Sequence, residues 1–310
     1  MGGENMKQQS LGTSNLNVSN ISLGCMRMNH LSVSDAQQVI QHAKEAGINF
    51  FDHADMYGGG DSERIFAEAL QLEPIQREDI YLQSKTGIRD GYFDFSKEHI
   101  LDSVDGSLQR LQTDYLDVLL LHRPDSLMEP EEVAEAFSTL KQSGKVRHFG
   151  VSNQHPGQIE LLKKYVDQEL IVNQLQFGLK HTEMIDRGFQ VNMNWDGSFD
   201  REGDVLEYSR LHDMTIQAWS PFQFGHFEGV FVSHPDFPEL NKKLEEIAEE
   251  KHVTKSAIAI AWILRHPAYI QAIIGSMNPI RITEIAKASH VELSRVEWYE
   301  LYQAAGNQLP

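Results

Sequence analysis

The sequence predicts an α/β fold, a single (β/α)8 (TIM) barrel over residues 1–310 with an N-terminal capping hairpin and an extra C-terminal helix. Eight short apolar segments recur along the chain, and amphipathic segments of helical period separate most of them. Continuous apolar strands that alternate with helices indicate a parallel sheet covered on both faces. Eight such units favour a closed barrel over an open doubly wound sheet, since no G-x-G-x-x-G follows the first strand.

The predicted elements follow one another in a regular order. Residues 7–18 alternate weakly around Gly12 and Thr13, which predicts the capping hairpin. Helix signals include N-cap patterns at Ser32 and Ser294 and a proline suited to a first turn at Pro130. Residues 178–203 and 220–238 are predicted as long loops. The eight apolar runs predict strands at 21–25, 48–52, 80–84, 115–121, 146–151, 170–175, 215–219 and 270–274.

The composition limits the classes of function. The chain has 45 acidic residues and 27 Lys and Arg, so its formal net charge is −18. Such a chain is a poor candidate for nucleic-acid or anionic-membrane binding. No apolar run reaches the ~20 residues of a membrane span, and the N-terminus has no signal-peptide pattern, so we expect a cytoplasmic protein. No long heptad pattern or clear interface stretch appears, and we expect a monomer or weak homo-oligomer. Cys25 is the only cysteine, which excludes an intrachain disulfide and a cysteine metal cluster.

Polar residues follow the predicted strands where each strand ends. The run 50–61 is apolar up to Asp52, and Tyr57 and three glycines then follow on a short loop. In a barrel of this kind the active site lies at the carboxyl ends of the strands. The fold would therefore gather Asp, Tyr, Lys and His side chains at one mouth. The residues at these strand ends are Met26, Asp52, Lys85, His122, Ser152, Asn153, Gln174, Trp219, Ser220, Gly275 and Ser276.

Such a set has a chemical logic. A phenol has an unperturbed pKa near ~10, and a neighbouring ammonium group lowers that pKa by favouring phenolate. A carboxylate keeps the ammonium charged and oriented, and an imidazole can hydrogen-bond a carbonyl oxygen. Protonation of that oxygen while a hydride reaches the carbon is carbonyl reduction. The hydride must come from a cofactor, because no side chain can donate one.

Each of these residues also has a structural interpretation. An Asp before a glycine-rich turn is most often a turn residue. Lys85 alone could be a surface lysine, and His122 alone could be a structural histidine. His53 should point away from the mouth if Asp52 points in, because strand side chains alternate. His53 and Asp55 lack a third ligand at matching spacing, so no metal site is predicted.

Seven short motifs in this order resemble the aldo-keto reductase family over essentially the full chain. The segment His122-Arg123-Pro124-Asp125 is most similar to bacterial oxidoreductases of that family. The seven motifs are Asp52-x-Ala54-x-x-Tyr57-Gly58, Ser84-Lys85, Leu121-His122, Gly150-Val151-Ser152-Asn153, Asn173-Gln174, Trp219-Ser220-Pro221-Phe222, and Ile274-Gly275-Ser276 followed by Arg281 and Glu284.

The resemblance implies a role for each matching residue. Tyr57 would be the general acid, with its pKa lowered by Lys85. Asp52 would pair with Lys85, and His122 would position the carbonyl. The implied cofactor-binding set is Met26 and Asp52 at the mouth, Ser152, Asn153, Gln174 and Trp219 around the nicotinamide, Ser220, Pro221, Phe222 and Gly225 over the pyrophosphate, and Gly275, Ser276, Arg281 and Glu284 at the adenosine end.

The implied cofactor is NADPH, with NADH also possible. Many family members carry a basic residue where Gly275 stands, and that residue contacts the 2′-phosphate of NADPH. Here Arg281 is left to supply the charge. A helix that opens at Pro279 also offers backbone amides for a phosphate, independently of the resemblance.

Three hypotheses of function follow. The first is an NADP(H)-dependent reductase of small aldehydes and ketones. The second is a barrel that retains the cofactor as a redox sensor or regulatory subunit with slow or no turnover. The third is a hydrolase with paired carboxylates, which would need two carboxylates close together in a pocket.

The substrate pocket is predicted to be shaped by the loops 86–95, 178–203 and 220–238. Little C-terminal chain follows the last predicted helix, so we expect an open mouth. Aromatic residues that could line the pocket are Tyr92, Phe93, Trp195 and Phe224.

Overall fold

Eight parallel strands close into a barrel, as the sequence predicts. The computed structural model describes residues 6–201 and 203–310. β3 to β9 and β12 form the closed barrel, in which β12 pairs with both β3 and β9. β1 and β2 form the N-terminal hairpin, and β10 and β11 form a short ribbon. The strands are β1 (Gln8–Ser10), β2 (Asn17–Ser19), β3 (Ile21–Gly24), β4 (Phe50–Asp52), β5 (Tyr81–Thr86), β6 (Leu116–Leu121), β7 (Val146–Ser152), β8 (Leu170–Gln176), β9 (Thr215–Trp219), β10 (Gln223–Phe224), β11 (Gly229–Val230) and β12 (Gln271–Ile274).

Helices connect the barrel strands and cover their outer face. The Ser32 and Ser294 side chains cap two of them by accepting the backbone N–H of the residue three positions on, at 3.1 and 3.2 Å. None of the described helices is both long and apolar enough to cross a lipid bilayer. The helices are α1 (Val33–Glu45), α2 (Asp61–Leu70), α3 (Lys97–Leu111), α4 (Pro130–Gln142), α5 (Pro156–Lys163), α6 (Glu183–Phe189), α7 (Val205–Leu211), α8 (Pro238–Lys251), α9 (Lys255–Leu264), α10 (Pro279–Ala286) and α11 (Arg295–Ala304).

The apolar core has two parts. The larger part fills the space between the strands and the helices. The smaller part lies inside the barrel, where side chains of the N-terminal hairpin meet inward-facing strand residues; its members are Leu11, Leu16, Val18, Phe50, Val118, Leu120, Ile171 and Val172. Phe50 faces the barrel interior and Phe51 faces the helices, as strand alternation requires. The hairpin therefore plugs the end of the barrel that is remote from the strands' carboxyl ends.

The two long loops contain more structure than the sequence predicts. Residues 178–203 include α6, and residues 220–238 include the β10–β11 ribbon. Helix α6 buries Met184 and Ile185, a stripe too short to give a clear helical period. The Asp186 carboxylate of this helix accepts a hydrogen bond from the Tyr302 hydroxyl at 2.7 Å. Tertiary contact with α11 therefore supports a helix whose local signal is weak.

A tryptophan pair joins α9 to α11. The rings of Trp262 and Trp298 are stacked, with centroids 4.8 Å apart and an interplanar angle of 8°. Each indole N–H donates to the backbone carbonyl of the other residue, at 3.0 Å from Trp262 and 2.9 Å from Trp298. Both indoles are therefore buried with their polar atom satisfied.

Candidate active site

A cavity of about 790 Å³ opens at the carboxyl ends of the barrel strands. Its lining comes from the strand ends, the loop after β9, and the first turns of α9 and α10. Predicted site residues in the lining are Met26, Asp52, Tyr57, His122, Ser152, Asn153, Gln174, Trp219, Ser220, Pro221, Phe222, Gly275, Ser276 and Arg281. No described residue after Ile285 lines the cavity.

Lys85 connects the residues at the floor of this cavity. Its ammonium donates to the Asp52 carboxylate at 2.8 Å, to the His53 carbonyl at 2.7 Å and to the Tyr57 hydroxyl at 3.2 Å. Burial works to lower the pKa of Lys85, but Asp52 and Tyr57 outweigh it and the pKa is raised. The ammonium therefore stays charged beside the phenol at neutral pH.

The Asp52 carboxylate is held on its other oxygen by a chain of buried amides. Gln83 and Gln174 donate to Oδ1 at 2.6 and 3.0 Å. Both amides also donate to Gln217 Oε1, at 2.8 and 3.1 Å. Gln217 donates in turn to Gln271 Oε1 at 2.8 Å, and Gln271 donates to the carbonyl of Ser19 in the hairpin at 2.7 Å. Each of these four glutamine amides donates to an acceptor, so the buried charge of the Asp52 carboxylate is well compensated.

Tyr57 and His122 face each other across the cavity floor. Their rings meet edge to face with centroids 5.9 Å apart. Burial raises the pKa of Tyr57, while Lys85 acts in the opposite direction. The expected net lowering of this pKa is therefore not found, because burial outweighs the ammonium. Burial, with Lys85 and Arg123, holds the pKa of His122 well below its usual range, so the imidazole is neutral.

The residues expected around a nicotinamide form one hydrogen-bonded group. The Ser152 hydroxyl donates to the Gln174 carbonyl at 3.0 Å, and the Trp219 indole N–H donates to Asn153 Oδ1 at 3.1 Å. The Trp219 ring is also contacted by Phe227, with the rings stacked at 6.0 Å between centroids. This group forms one polar wall of the cavity next to an aromatic face.

The far end of the cavity has the chemistry of a dinucleotide's adenosine end. A Cβ added at Gly275 would have no atom within 4 Å, so this position leaves open space. The Asn278 side chain caps α10 by accepting the Arg281 N–H at 3.0 Å, and Arg281 lines the cavity. Thr254 and Lys255 at the start of α9 line it as well. The open space at Gly275 and these cations fit a phosphate-bearing cofactor.

Residues 20–305 match the sequence model of the Aldo/keto reductase family. The chain belongs to this family. It is therefore an NAD(P)H-dependent oxidoreductase, and its barrel is the family fold.

Three individual proteins illustrate the similarity. Uncharacterized oxidoreductase YcsN of Bacillus subtilis is 36% identical over 310 residues, which cover 95% of this chain and 97% of that protein. The 6-dehydroglucose reductase of Novosphingobium aromaticivorans is 33% identical and covers 97% of each chain. A crystal structure of an aldo-keto reductase from Klebsiella pneumoniae in complex with NADPH has a TM-score of 0.76 at 25% identity, covering 96% of this chain and 95% of that one.

Some residues predicted for this aldo-keto reductase site lie outside the cavity lining. Gly225 and Glu284 are not among the lining residues; a Cβ at Gly225 would meet the Glu228 carboxylate, and Glu284 pairs with Lys287 at 2.8 Å. The four aromatic residues expected to line the pocket are also absent from the described lining. Phe224 packs on His234 and Phe237 instead. The other three are Tyr92, Phe93 and Trp195.

His53 lies on the outer side of the barrel, as predicted. Its ring packs edge-on against Phe66 of α2 with centroids 4.5 Å apart. Burial, assisted by Lys85, lowers the pKa of His53 to about 3. Among residues 6–201 and 203–310, no group of three or more His, Cys, Asp or Glu side chains could hold a metal ion.

Sequence reasoning missed several residues of the site. Gln83 and Gln217 lie two residues before Lys85 and Trp219 on the same strands, so they face the same interior. That period of two was the available signal. Lys255 was missed because nothing local marks the first turn of α9 as part of the cavity. Its position becomes clear only when α9 packs beside α10.

Proposed function

We propose that this aldo-keto reductase uses NADPH to reduce small aldehydes and ketones to alcohols, with Tyr57 as the general acid. The observation that carries the proposal is the Lys85 ammonium, which bridges the Asp52 carboxylate and the Tyr57 hydroxyl beside the cavity. The similarity to a protein named 6-dehydroglucose reductase and to a structure in complex with NADPH supports it. We also expect the protein to act in the cytoplasm, as a monomer or weak homo-oligomer.

Each residue has a defined part in this mechanism. The bound nicotinamide cofactor supplies the hydride. Neutral His122 orients the carbonyl through a ring N–H, and Tyr57 delivers a proton to the carbonyl oxygen as the carbon is reduced. Lys85 stabilises the phenolate that remains, and Asp52 keeps Lys85 charged and directed at the phenol. Ser152, Asn153, Gln174 and Trp219 would hold the nicotinamide.

Removal of the phenol hydroxyl tests this mechanism. Tyr57→Phe keeps the ring contact with His122 but removes the proton donor. We expect turnover to be abolished, with NADPH affinity nearly unchanged. Steady-state reduction of an aromatic aldehyde and an NADPH titration measure the two quantities. Wild-type turnover in the variant would overturn the assigned role of Tyr57.

Cofactor preference is tested by titration with NADPH and then NADH, observed through tryptophan fluorescence. The chain has 4 tryptophans, so Trp219→Phe identifies the part of the signal that comes from the cavity. We expect NADPH to bind more tightly, and Arg281→Gln to weaken NADPH binding roughly tenfold or more relative to NADH, since a charged hydrogen bond is lost. Equal binding of both cofactors would assign dual or NADH use.

The other two hypotheses make different predictions. A redox sensor would share every site residue, and tight cofactor binding with near-zero turnover across many carbonyl compounds would identify it. The hydrolase needs a second carboxylate. Asp52 is the only carboxylate-bearing residue among the described residues that line the cavity, and its partner is Lys85. The site therefore does not support the hydrolase.

A further inference from the structure

Arg123 places a guanidinium group at the carbonyl end of the cavity. It directly follows His122 and lines the cavity, where its side chain is partly buried. Its guanidinium carbon lies 5.5 Å from the centroid of a Trp219 ring. Within residues 6–201 and 203–310, no carboxylate pairs with it and no hydrogen-bond acceptor contacts it. A partly desolvated guanidinium in this state has five N–H donors available to a ligand.

The charge of the cavity differs from that of the molecule. The whole chain has 45 acidic residues against 27 Lys and Arg. The charged residues in the described cavity lining are four basic ones and one acid, and that acid, Asp52, is neutralised by Lys85. The four basic residues are Arg27, Arg123, Lys255 and Arg281. An acidic protein that concentrates cations in one cleft provides a local attraction for anionic ligands.

The cofactor's phosphates do not account for all four cations. Lys255 and Arg281 belong to the first turns of α9 and α10, beside the open position at Gly275. Arg123 instead belongs to the loop after β6 and approaches Trp219, next to His122 and Tyr57. Burial lowers the pKa of the Arg123 guanidinium, and the Tyr57 phenol opposes that shift. The positive charge is therefore close to the place where the carbonyl would react.

We propose that Arg123 binds a carboxylate on the substrate, so that the preferred substrates are aldehydes or ketones that also carry a carboxylate group. This inference rests on the proposed reductase function. The guanidinium would hold the carboxylate through paired N–H bonds, a geometry that arginine offers and lysine does not. The carboxylate stays unchanged in the reaction. At the carbonyl, the C=O π bond breaks, a C–H bond forms with the hydride of NADPH, and an O–H bond forms with the proton of Tyr57.

The test compares 4-carboxybenzaldehyde with its uncharged analogue 4-formylbenzamide. Both have the same reactive aldehyde and nearly the same shape. We expect wild-type protein to favour the acid, and Arg123→Gln to lower the acid-to-amide ratio of kcat/KM by about 10- to 100-fold, as the loss of a charged hydrogen bond implies. Arg123→Lys keeps the positive charge but loses the paired N–H donors of the guanidinium. Its acid-to-amide ratio of kcat/KM should therefore lie between those of the wild-type protein and Arg123→Gln. Arg27→Gln removes the same charge from another position in the cavity lining and measures the effect of net charge alone.

A binding measurement separates this inference from the proposed function. Calorimetry with terephthalate and with terephthalamide, on protein saturated with NADPH, reports anion selectivity without turnover. Turnover of both aldehydes with an acid-to-amide ratio that Arg123→Gln does not change would overturn the inference alone. The inference would also be overturned if Arg27→Gln lowered the acid-to-amide ratio of kcat/KM as much as Arg123→Gln does. A loss of NADPH affinity in Arg123→Gln as large as its fall in that ratio would overturn it too. Selective terephthalate binding that Arg123→Gln abolishes, without any turnover, would support carboxylate binding by Arg123 and overturn the reductase function, and with it the assignment of the ligand as a carbonyl substrate.

Discussion

Asp55 carries a buried carboxyl group and lies between Asp52 and Tyr57 in the sequence, the two residues that the mechanism uses most. Its Oδ2 accepts a hydrogen bond from the Ser103 hydroxyl at 2.7 Å, and its backbone N–H donates to the Lys85 carbonyl at 3.1 Å. Burial raises the pKa of Asp55 to about 6, although the Ser103 hydrogen bond acts against this. An unfolded Asp titrates near ~3.9, so the native state holds this proton to a higher pH than the unfolded chain.

The difference in proton binding at Asp55 between the native and unfolded states gives the first stability prediction. Between about pH 4 and pH 6 the native state binds more protons at Asp55, so this residue lowers the free energy of unfolding as pH rises. Asp55→Asn removes the ionisation, and we expect it to stabilise the protein by ~1–3 kcal/mol at pH 8 with no gain at pH 4. Urea unfolding at both pH values measures the difference. The exposed Asp114→Asn is the control, and an equal gain at both pH values would contradict the prediction.

Tyr57 shows why the sequence identifies partners better than it predicts pKa values. The predicted pairing with Lys85 is present, and the ammonium does favour phenolate. The net pKa is nevertheless raised, because burial of the phenol has the larger effect. Burial depends on the three-dimensional packing around one residue, and no spacing along the chain encodes it.

Among the elements, the barrel strands supply a continuous polar path as well as the apolar core. The amides of β5, β8, β9 and β12 connect the Asp52 carboxylate to the hairpin carbonyl of Ser19. Each amide occupies an inward position that an apolar residue would otherwise fill. Removal of one amide leaves its partners with fewer hydrogen bonds in a dry interior: without Gln83, Asp52 Oδ1 and Gln217 Oε1 each keep only the Gln174 donor among these amides.

Gln83→Leu tests this path. The variant removes one donor from Asp52 and one from Gln217, and we expect the free energy of unfolding to fall by about 1–3 kcal/mol and kcat to fall roughly tenfold. NADPH affinity should change less than kcat, because Asp52 acts through Lys85. Urea unfolding and steady-state kinetics measure these effects. Gln142→Leu, at the exposed end of α4, is the matched control, and an unchanged kcat in Gln83→Leu would show that Asp52 needs no such support.

The strands were easier to predict than the loops between them. Each barrel strand is a short apolar run with a polar residue at its end, and both signals are local. Helix α6 was missed because two buried residues, Met184 and Ile185, do not make a period. Of the four inward glutamines, Gln174 was predicted because it follows an apolar run, whereas Gln83, Gln217 and Gln271 were overlooked because they interrupt or open such runs. Lys255 joins the site only through tertiary packing, where α9 lies beside α10.

At the scale of the whole molecule, the hairpin closes the amino end of the barrel. Leu11 is fully buried in the interior cluster, and the next backbone N–H, that of Gly12, donates to the Thr215 hydroxyl at 2.7 Å. A Cβ at Gly12 would lie 2.4 Å from the Ile171 carbonyl oxygen. The plug is therefore fitted closely to the strands, far from the cavity.

Leu11→Ala separates stability from chemistry. We expect the free energy of unfolding to fall by about 2–5 kcal/mol, the range for a large-to-small change in a core. Since the plug lies at the opposite end from the cavity, KM for an aldehyde should stay near its wild-type value at temperatures where the variant is folded. Leu127→Ala, at a position 87% exposed, should change stability by less than ~0.5 kcal/mol. If Leu11→Ala lowered the free energy of unfolding no more than Leu127→Ala does, the hairpin would contribute little to the stability of the barrel.

The stacked pair of Trp262 and Trp298 gives this enzyme an internal optical standard. Two buried indoles stacked at 4.8 Å have one fixed, asymmetric environment, so they should give a distinct near-ultraviolet band in the circular dichroism spectrum. The band requires α9 and α11 to be docked, and neither tryptophan lines the cavity. A variant that loses turnover but keeps this band has lost chemistry, whereas a variant that loses both has lost its fold.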